Sequence, residues 1–257
     1  MLFQETLEIV RKSLNFALWN RKMLFLLLSL LALKTLVFPF FRSPLIAAAQ
    51  DLMGDMVVEQ FLVVSSIDQI AYLLFFSIVF ILTILDAAEF DRKKKATFNL
   101  TAVKKHYLPV LLFGSILSVL VTLIVSLATY SDNFVFYMFV PWVWFLTLLL
   151  AFTPTFIVLE NKSLKSGARD SIMLVYNNLS RYVVFYLGIS LISFALNLPL
   201  LLLNYFYGLG SQSLPLWIFT LYPIEIIALP LVAFSTIFNI MAHTTFYLNN
   251  NGREAKK

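Results

Sequence analysis

Apolar residues along this chain fall in long unbroken runs rather than in alternation, and short clusters of charge punctuate them. A helix needs about 20 apolar residues to cross the ~30 Å hydrocarbon layer of a bilayer. Six runs qualify: Met23–Phe41, Ile70–Ala88, Tyr107–Thr129, Val135–Leu159, Tyr182–Tyr205 and Leu216–Ala242. The last is long enough to tilt or to overrun the bilayer. Membrane strands would alternate in polarity with period two, so continuous runs predict helices.

The segments between the runs carry a helical pattern of their own. Phe3, Leu7, Val10, Leu14 and Leu18 recur at helical spacing while Glu5, Glu8, Arg11, Lys12 and Asn15 take other faces. Leu164, Ala168, Ile172, Val175 and Leu179 form a similar stripe, and residues 90–107 a more basic, less regular one. Such helices suit the headgroup layer. The stretches 11–22, 94–105 and 169–181 share a loose pattern of basic, hydroxyl, apolar and polar positions ahead of a span. Two readings of it stay open: three repeated units, or convergence of interfacial helices. Between the first two spans, residues 44–64 are predicted to form a helix on the outer surface.

Composition agrees with the pattern. The chain has 257 residues, 60% hydrophobic and 13% charged, where a soluble domain has about 45–50% and 25%. The predicted fold class is therefore all-α: a polytopic membrane protein with six transmembrane helices and amphipathic cytoplasmic surface helices, in a single domain over residues 1–257. With no Cys and two His, thiolate metal sites and disulfides are excluded, and no metal or other cofactor is expected. The first run, with Lys34 inside it and 22 residues before it, is expected to be a retained anchor rather than a cleaved signal peptide.

Charge sets the expected orientation. All of the 19 Lys and Arg except Lys34 and Arg42 lie before the first span, between the second and third, between the fourth and fifth, or after the sixth. This asymmetry places both termini in the cytoplasm, with the chain in a bacterial inner membrane. Arg92, Lys93, Lys94, Lys95, Lys162, Lys165 and Arg169 are then expected at headgroup depth, where each gains ~1 kcal/mol from anionic lipid. The net charge of +5 reflects topology and lipid contact, and nucleic acid is not an expected partner.

The fourth span runs into FTPTFIVLENKSLKSGARDSIMLVYNNLSRY (152–182), with Pro154, an acidic turn at Glu160 and a short basic helix carrying Ala168-x-x-Ser171. This stretch resembles six-span bacterial inner-membrane proteins of unknown function. It is similar also to the membrane domain fused to some glycerophosphodiester phosphodiesterases. The resemblance implies a six-span architecture. It implies no phosphodiesterase activity, because that domain is not attached here. Glycines common in such families are also sparse. Within the motif, Pro154 is expected to bend the span, and Glu160 to pair with Lys165 or Arg169 or to cap the helix.

No nucleophile motif or phosphate loop is present. Asp86, Glu89 and Asp91 are the only clustered acids a lipid enzyme would have at headgroup level. Polar residues inside the bilayer remain, and these mark function by default. Glu225 lies ~14 Å along the sixth helix and Lys34 ~16 Å along the first, at matching depth, so an intramembrane Lys34–Glu225 pair is predicted. A snorkelling Lys34 and a protonated, hydrogen-bonded Glu225 are the alternatives. Glu225 heads a polar stripe through Ser235, Thr236, Asn239 and His243, and Pro199, Pro223 and Pro230 join Pro154 as expected kinks. Two functions follow. One is a non-catalytic inner-membrane protein acting through lipid or protein-partner contacts, in envelope organisation or as an accessory subunit. The other is a small transporter or channel with a polar path along Glu225, Asn239 and His243.

Overall fold

The computed structural model describes the backbone of residues 2–36, 57–91, 100–130, 134–210 and 217–254, and the side chains of 2–33, 72–91, 100–124, 138–199, 202 and 229–250. Among these residues every regular element is a helix: α1 Leu2–Trp19, α2 Arg21–Leu36, α3 Val57–Asp91, α4 Leu100–Tyr130, α5 Phe134–Leu149, α6 Thr153–Glu160, α7 Leu164–Asn177, α8 Leu179–Gly210 and α9 Trp217–Glu254. Five segments are long and apolar enough to cross a membrane: Tyr72–Asp91, Leu100–Ile124, Met138–Glu160, Leu179–Pro199 and Leu229–Asn250. The pair α1–α2 makes a sixth if its 73° bend is taken within one span.

One expectation changes. Helix α3 is continuous from Val57, so residues 57–64 belong to it and not to a separate outer helix. The remainder of that proposed helix, residues 44–56, lies outside the described residues. At ~1.5 Å per residue α3 is about 50 Å long and overruns the hydrocarbon. Of the basic stretch 90–107, residues 90 and 91 end α3 and residues 100–107 begin α4, while 92–99 lie outside the described residues.

The helices group into two compact units, each discontinuous in sequence. The first comprises residues 1–35, 86–96 and 178–257; the second comprises 36–85 and 97–177. In the first, α9 is central: 61% of its apolar window is buried, against 6% for α4 in the second. Ala233, Ile237, Phe238, Met241, Ala242 and Phe246 of α9 are enclosed together with Tyr182, Phe185 and Ile189 of α8. Helix α1 packs on both. It does so through Thr6, Ile9, Val10, Ser13, Phe16 and Ala17. Of the stripe predicted from sequence only Val10 is buried, and Phe3, Leu7 and Leu18 are exposed. The inward sector interleaves Thr6, Ser13 and Ala17 with Ile9, Val10 and Phe16, and its small residues let the helices approach closely. Gly188 sets that approach, because a Cβ there would lie 2.9 Å from Thr6 Cγ2.

In the second unit, α4 packs on α5, and α6 on α7. The span Met138–Glu160 is broken at residues 150–152, just ahead of Pro154. Pro154 has no N–H and its ring crowds the carbonyl of Leu150, so the preceding turn tightens. Ala151 N–H donates to Leu148 O at 3.3 Å and Thr153 N–H to Leu150 O at 3.0 Å. In a regular helix these carbonyls would take N–H groups from positions 152 and 154, and Pro154 has none to give. The tightened turn therefore releases Phe152 N–H and Leu149 C=O. The hydroxyl of Ser171, on α7, takes both: it accepts from Phe152 N–H at 3.1 Å and donates to Leu149 O at 2.7 Å. Gly167, one turn earlier, admits α7 this close, since a Cβ there would meet Ile157 Cγ1 at 3.3 Å and Thr153 O at 3.4 Å.

Replacing Ser171 by Ala leaves both backbone groups buried without partners, so Ser171→Ala should lower unfolding free energy in detergent by about 2 kcal/mol. A thermal midpoint equal to that of the parent would sink this account. Gly188→Ala should cost about 1–3 kcal/mol by forcing α1 off α8. Thr6→Ser removes the opposing methyl, so the double variant Gly188→Ala/Thr6→Ser should regain most of the loss, and additive effects would refute the contact.

Candidate functional site

The polar stripe on α9 faces α8, and the two helices run antiparallel with their polar groups in register. Ser193 on α8 donates its hydroxyl to Asn239 Oδ1 at 3.1 Å. Asn239 Nδ2 donates to Ser235 O at 2.8 Å, so both ends of its amide are engaged. Asn197 Nδ2 donates to Ser193 O at 2.7 Å and reaches Ser235 Oγ at 3.4 Å. Thr236 donates to Val232 O at 2.8 Å within α9. His243 Nδ1 lies 2.8 Å from Asn239 O. A carbonyl only accepts, so Nδ1 carries the hydrogen. The imidazole stands edge-on to Phe185 at 5.4 Å, within a cluster that includes Tyr182 and Phe246. At the end of the seam Arg181 donates to Asn250 Oδ1 at 3.2 Å.

Ser235, Asn239 and His243 are thus brought together with α8 residues that the sequence did not single out as their partners, Ser193 above all, whereas the Thr236 hydroxyl bonds within α9. The side chains of Lys34, Glu225 and Pro223 lie outside the described residues, and so does the predicted Lys34–Glu225 pair. Helix α8 continues through Pro199 and α9 through Pro230. Arg92, Lys93, Lys94 and Lys95 also lie outside the described residues.

The remaining predicted lipid-contact residues separate into two kinds. Lys162 is held internally: its Nζ lies 2.6 Å from Asp170 Oδ2, 2.8 Å from Glu160 Oε2 and 4.8 Å from the Phe156 ring centre. Glu160 is therefore engaged by Lys162, where the sequence suggested Lys165 or Arg169. Local geometry places this cluster. Asn161 takes the left-handed conformation (φ 56°) that ends α6. Ser163 then caps α7 by accepting from Ser166 N–H at 3.3 Å. Lys165 and Arg169, by contrast, are exposed.

A second polar hub went unnoticed in the sequence. Asn20 sits at the bend between α1 and α2, accepts from Met23 N–H at 3.2 Å and donates to Asp86 Oδ2 at 3.2 Å. Asp86 is buried. Lys12 lies 3.3 Å from Asp91 and 3.4 Å from Glu8. Two of the three acids considered for lipid chemistry thus tie the tail of α3 to α1 and its bend. The available signal was Asn20 itself, a strong N-cap residue directly before an apolar helix.

An open apolar cleft between α4 and α5 is lined by Val121, Ile124, Val140, Val143, Trp144 and Thr147. Its one hydroxyl, on Thr147, donates to Trp144 O at 2.7 Å. Among the described residues no three His, Asp or Glu side chains converge as a metal site would require.

These features define a membrane-embedded, all-helical protein whose intramembrane polar groups are joined across helix seams. No family model, curated protein or solved structure matches the chain.

Lys162 supplies a pH-dependent test of the α6–α7 cluster. Burial works to lower its pKa, but the hydrogen bonds and charges of Asp170 and Glu160 outweigh this and raise it above the usual 10.5. A raised folded-state pKa contributes stability that is complete below about 10.5 and is lost as pH rises through the folded value. Lys162→Met should therefore be less stable than the parent at neutral pH, and the gap should close in strongly alkaline buffer. A gap independent of pH would exclude an ionic contribution.

Proposed function

We propose that this chain is a non-catalytic, multi-pass protein of a bacterial inner membrane, with both termini in the cytoplasm, that acts through contacts with lipid and with membrane-protein partners. In this reading α1 and α7 lie in the headgroup layer on the cytoplasmic side. The observation that carries the proposal is the state of the α8–α9 seam. Ser193, Asn197, Ser235, Asn239 and His243 bond to one another or to helix carbonyls, which is the behaviour of interhelical glue. A solute path would need such groups turned towards water.

Helix α1 supports the interfacial part. Its circumference divides into three sectors of roughly a third each at 100° per residue. One packs on α8 and α9, one carries Glu8, Arg11, Lys12 and Asn15, and one presents Phe3, Leu7 and Leu18 away from the protein. A 73° bend separates it from the apolar α2. If α2 runs along the membrane normal, α1 lies near the membrane plane, where its outer apolar sector meets acyl chains and its polar sector meets headgroups.

Reconstitution in liposomes tests the reading. No proton- or solute-dependent flux should exceed that of empty vesicles, and Asn239→Ala should destabilise the protein without changing that result. A flux that Asn239→Ala abolishes would overturn the proposal in favour of transport along Glu225, Asn239 and His243. Purification in mild detergent, with identification of retained proteins and lipids, should yield a stable companion.

A further inference from the structure

The geometry points to a binding site for the phosphate of an anionic phospholipid on the outward face of α7, built by Lys165 and Arg169. This inference rests on the proposed reading that α7 lies in the headgroup layer. Three observations meet there. The first is covalent. A candidate membrane span ends at Glu160 and the next begins at Leu179, so residues 161–163 and Asn178 are the only links at the two ends of α7. At ~3.5 Å per residue these tethers reach about 10 Å and 4 Å, which keeps the two ends of α7 close to the ends of those spans.

The second observation is the sorting of charge. The acids of this segment, Glu160 and Asp170, are both engaged by Lys162. Lys165 and Arg169 are exposed, and among the described residues neither side chain has an ion-pair or hydrogen-bond partner. They stand one turn apart, with Cβ atoms about 5–6 Å from each other. That spacing lets one phosphate sit between a planar guanidinium, which can grip two oxygens, and an ammonium point charge.

The third is what continues that face. Ile172, Met173 and Tyr176 follow Lys165 and Arg169 on the same side at helical spacing, and they are 38%, 48% and 73% exposed. Buried Gly167, Ser171, Leu174 and Val175 take the opposite side, against the protein. Two cations followed by two apolar side chains and a tyrosine match a phosphate, its glycerol and the first methylenes of the acyl chains. A water-facing surface would not need the apolar half, and a protein groove would not need both cations unpaired.

The chain has no Cys, so Met173→Cys carries a single environment-sensitive fluorophore. Three results are expected with the full-length protein. In phosphatidylcholine vesicles the probe reports an interfacial environment. Phosphatidylglycerol in the vesicle shifts it further and is retained by the protein in native mass spectrometry. Lys165→Gln/Arg169→Gln weakens phosphatidylglycerol retention about 30-fold, from ~1 kcal/mol per cation, while Lys162→Gln leaves it within twofold. A water-like probe signal in every vesicle overturns the headgroup placement itself. An interfacial signal with no preference for phosphatidylglycerol, or a preference that the double variant keeps, overturns only the phosphate site. Full competition by inorganic phosphate would assign the site to a free anion and also overturn it. Loss of a co-purifying protein in the double variant, at unchanged lipid retention, would replace lipid by a protein partner.

Discussion

Hydrocarbon offers no hydrogen bonds, so any backbone group that leaves its helix must find a partner within the protein. The hydroxyl of Ser171 meets that requirement where Pro154 tightens the chain, because one side chain both accepts from Phe152 N–H and donates to Leu149 O. Asn20 does comparable work at the bend before α2, with its carbonyl oxygen on Met23 N–H and its amide on Asp86. Each irregularity therefore depends on one small polar residue with two directed bonds.

The same scarcity of partners sets helix register. Apolar side chains in lipid have no strong preference for one another over acyl chains, so they do little to choose which residue of α8 lies opposite which residue of α9. The polar groups choose. Arg181 meets Asn250, Ser193 meets Asn239 and Asn197 meets Ser235. Within each pair, a step along α8 in one direction is matched by a step along α9 in the other. Between the first two pairs, Phe185 packs on His243 and Phe246. A polar stripe in a membrane helix need not be a conduit; it can be the device that stops two greasy cylinders from sliding.

What the sequence made legible follows from this physics. Long apolar runs and the spacing of Ser235, Asn239 and His243 are one-dimensional signals, and they pointed to the helices and to the stripe. The partner residue Ser193 was not legible, because interhelical register is a tertiary property with no local signature. The start of α3 at Val57 was missed because Glu59, Gln60, Ser65, Ser66, Asp68 and Gln69 dilute its apolar character, although helix hydrogen bonding tolerates them. On α1 the stripe of Phe3, Leu7, Leu14 and Leu18 was legible as a face suited to the headgroup layer, and Phe3, Leu7 and Leu18 are exposed. The face of Thr6, Ile9, Ser13, Phe16 and Ala17, with Val10 at its edge, packs on α8 and α9 and was not legible, because contact between helices distant in sequence has no local signature.

The motif around Pro154, Glu160 and Ala168-x-x-Ser171 shows how a recognisable pattern can carry architecture without chemistry. Pro154 breaks the span, Ser171 repairs the break, Gly167 admits α7 and Glu160 shares Lys162 with Asp170. Each conspicuous residue has a local structural task that accounts for its presence. The charge balance then separates the cations of this segment by role. A lysine held between two carboxylates is neutralised and directs nothing outward, whereas cations left without partners on an exposed face set the field that the surroundings feel. A count of basic residues near a membrane therefore overstates the number available to lipid, and only the ion-pair pattern shows which of them face outward.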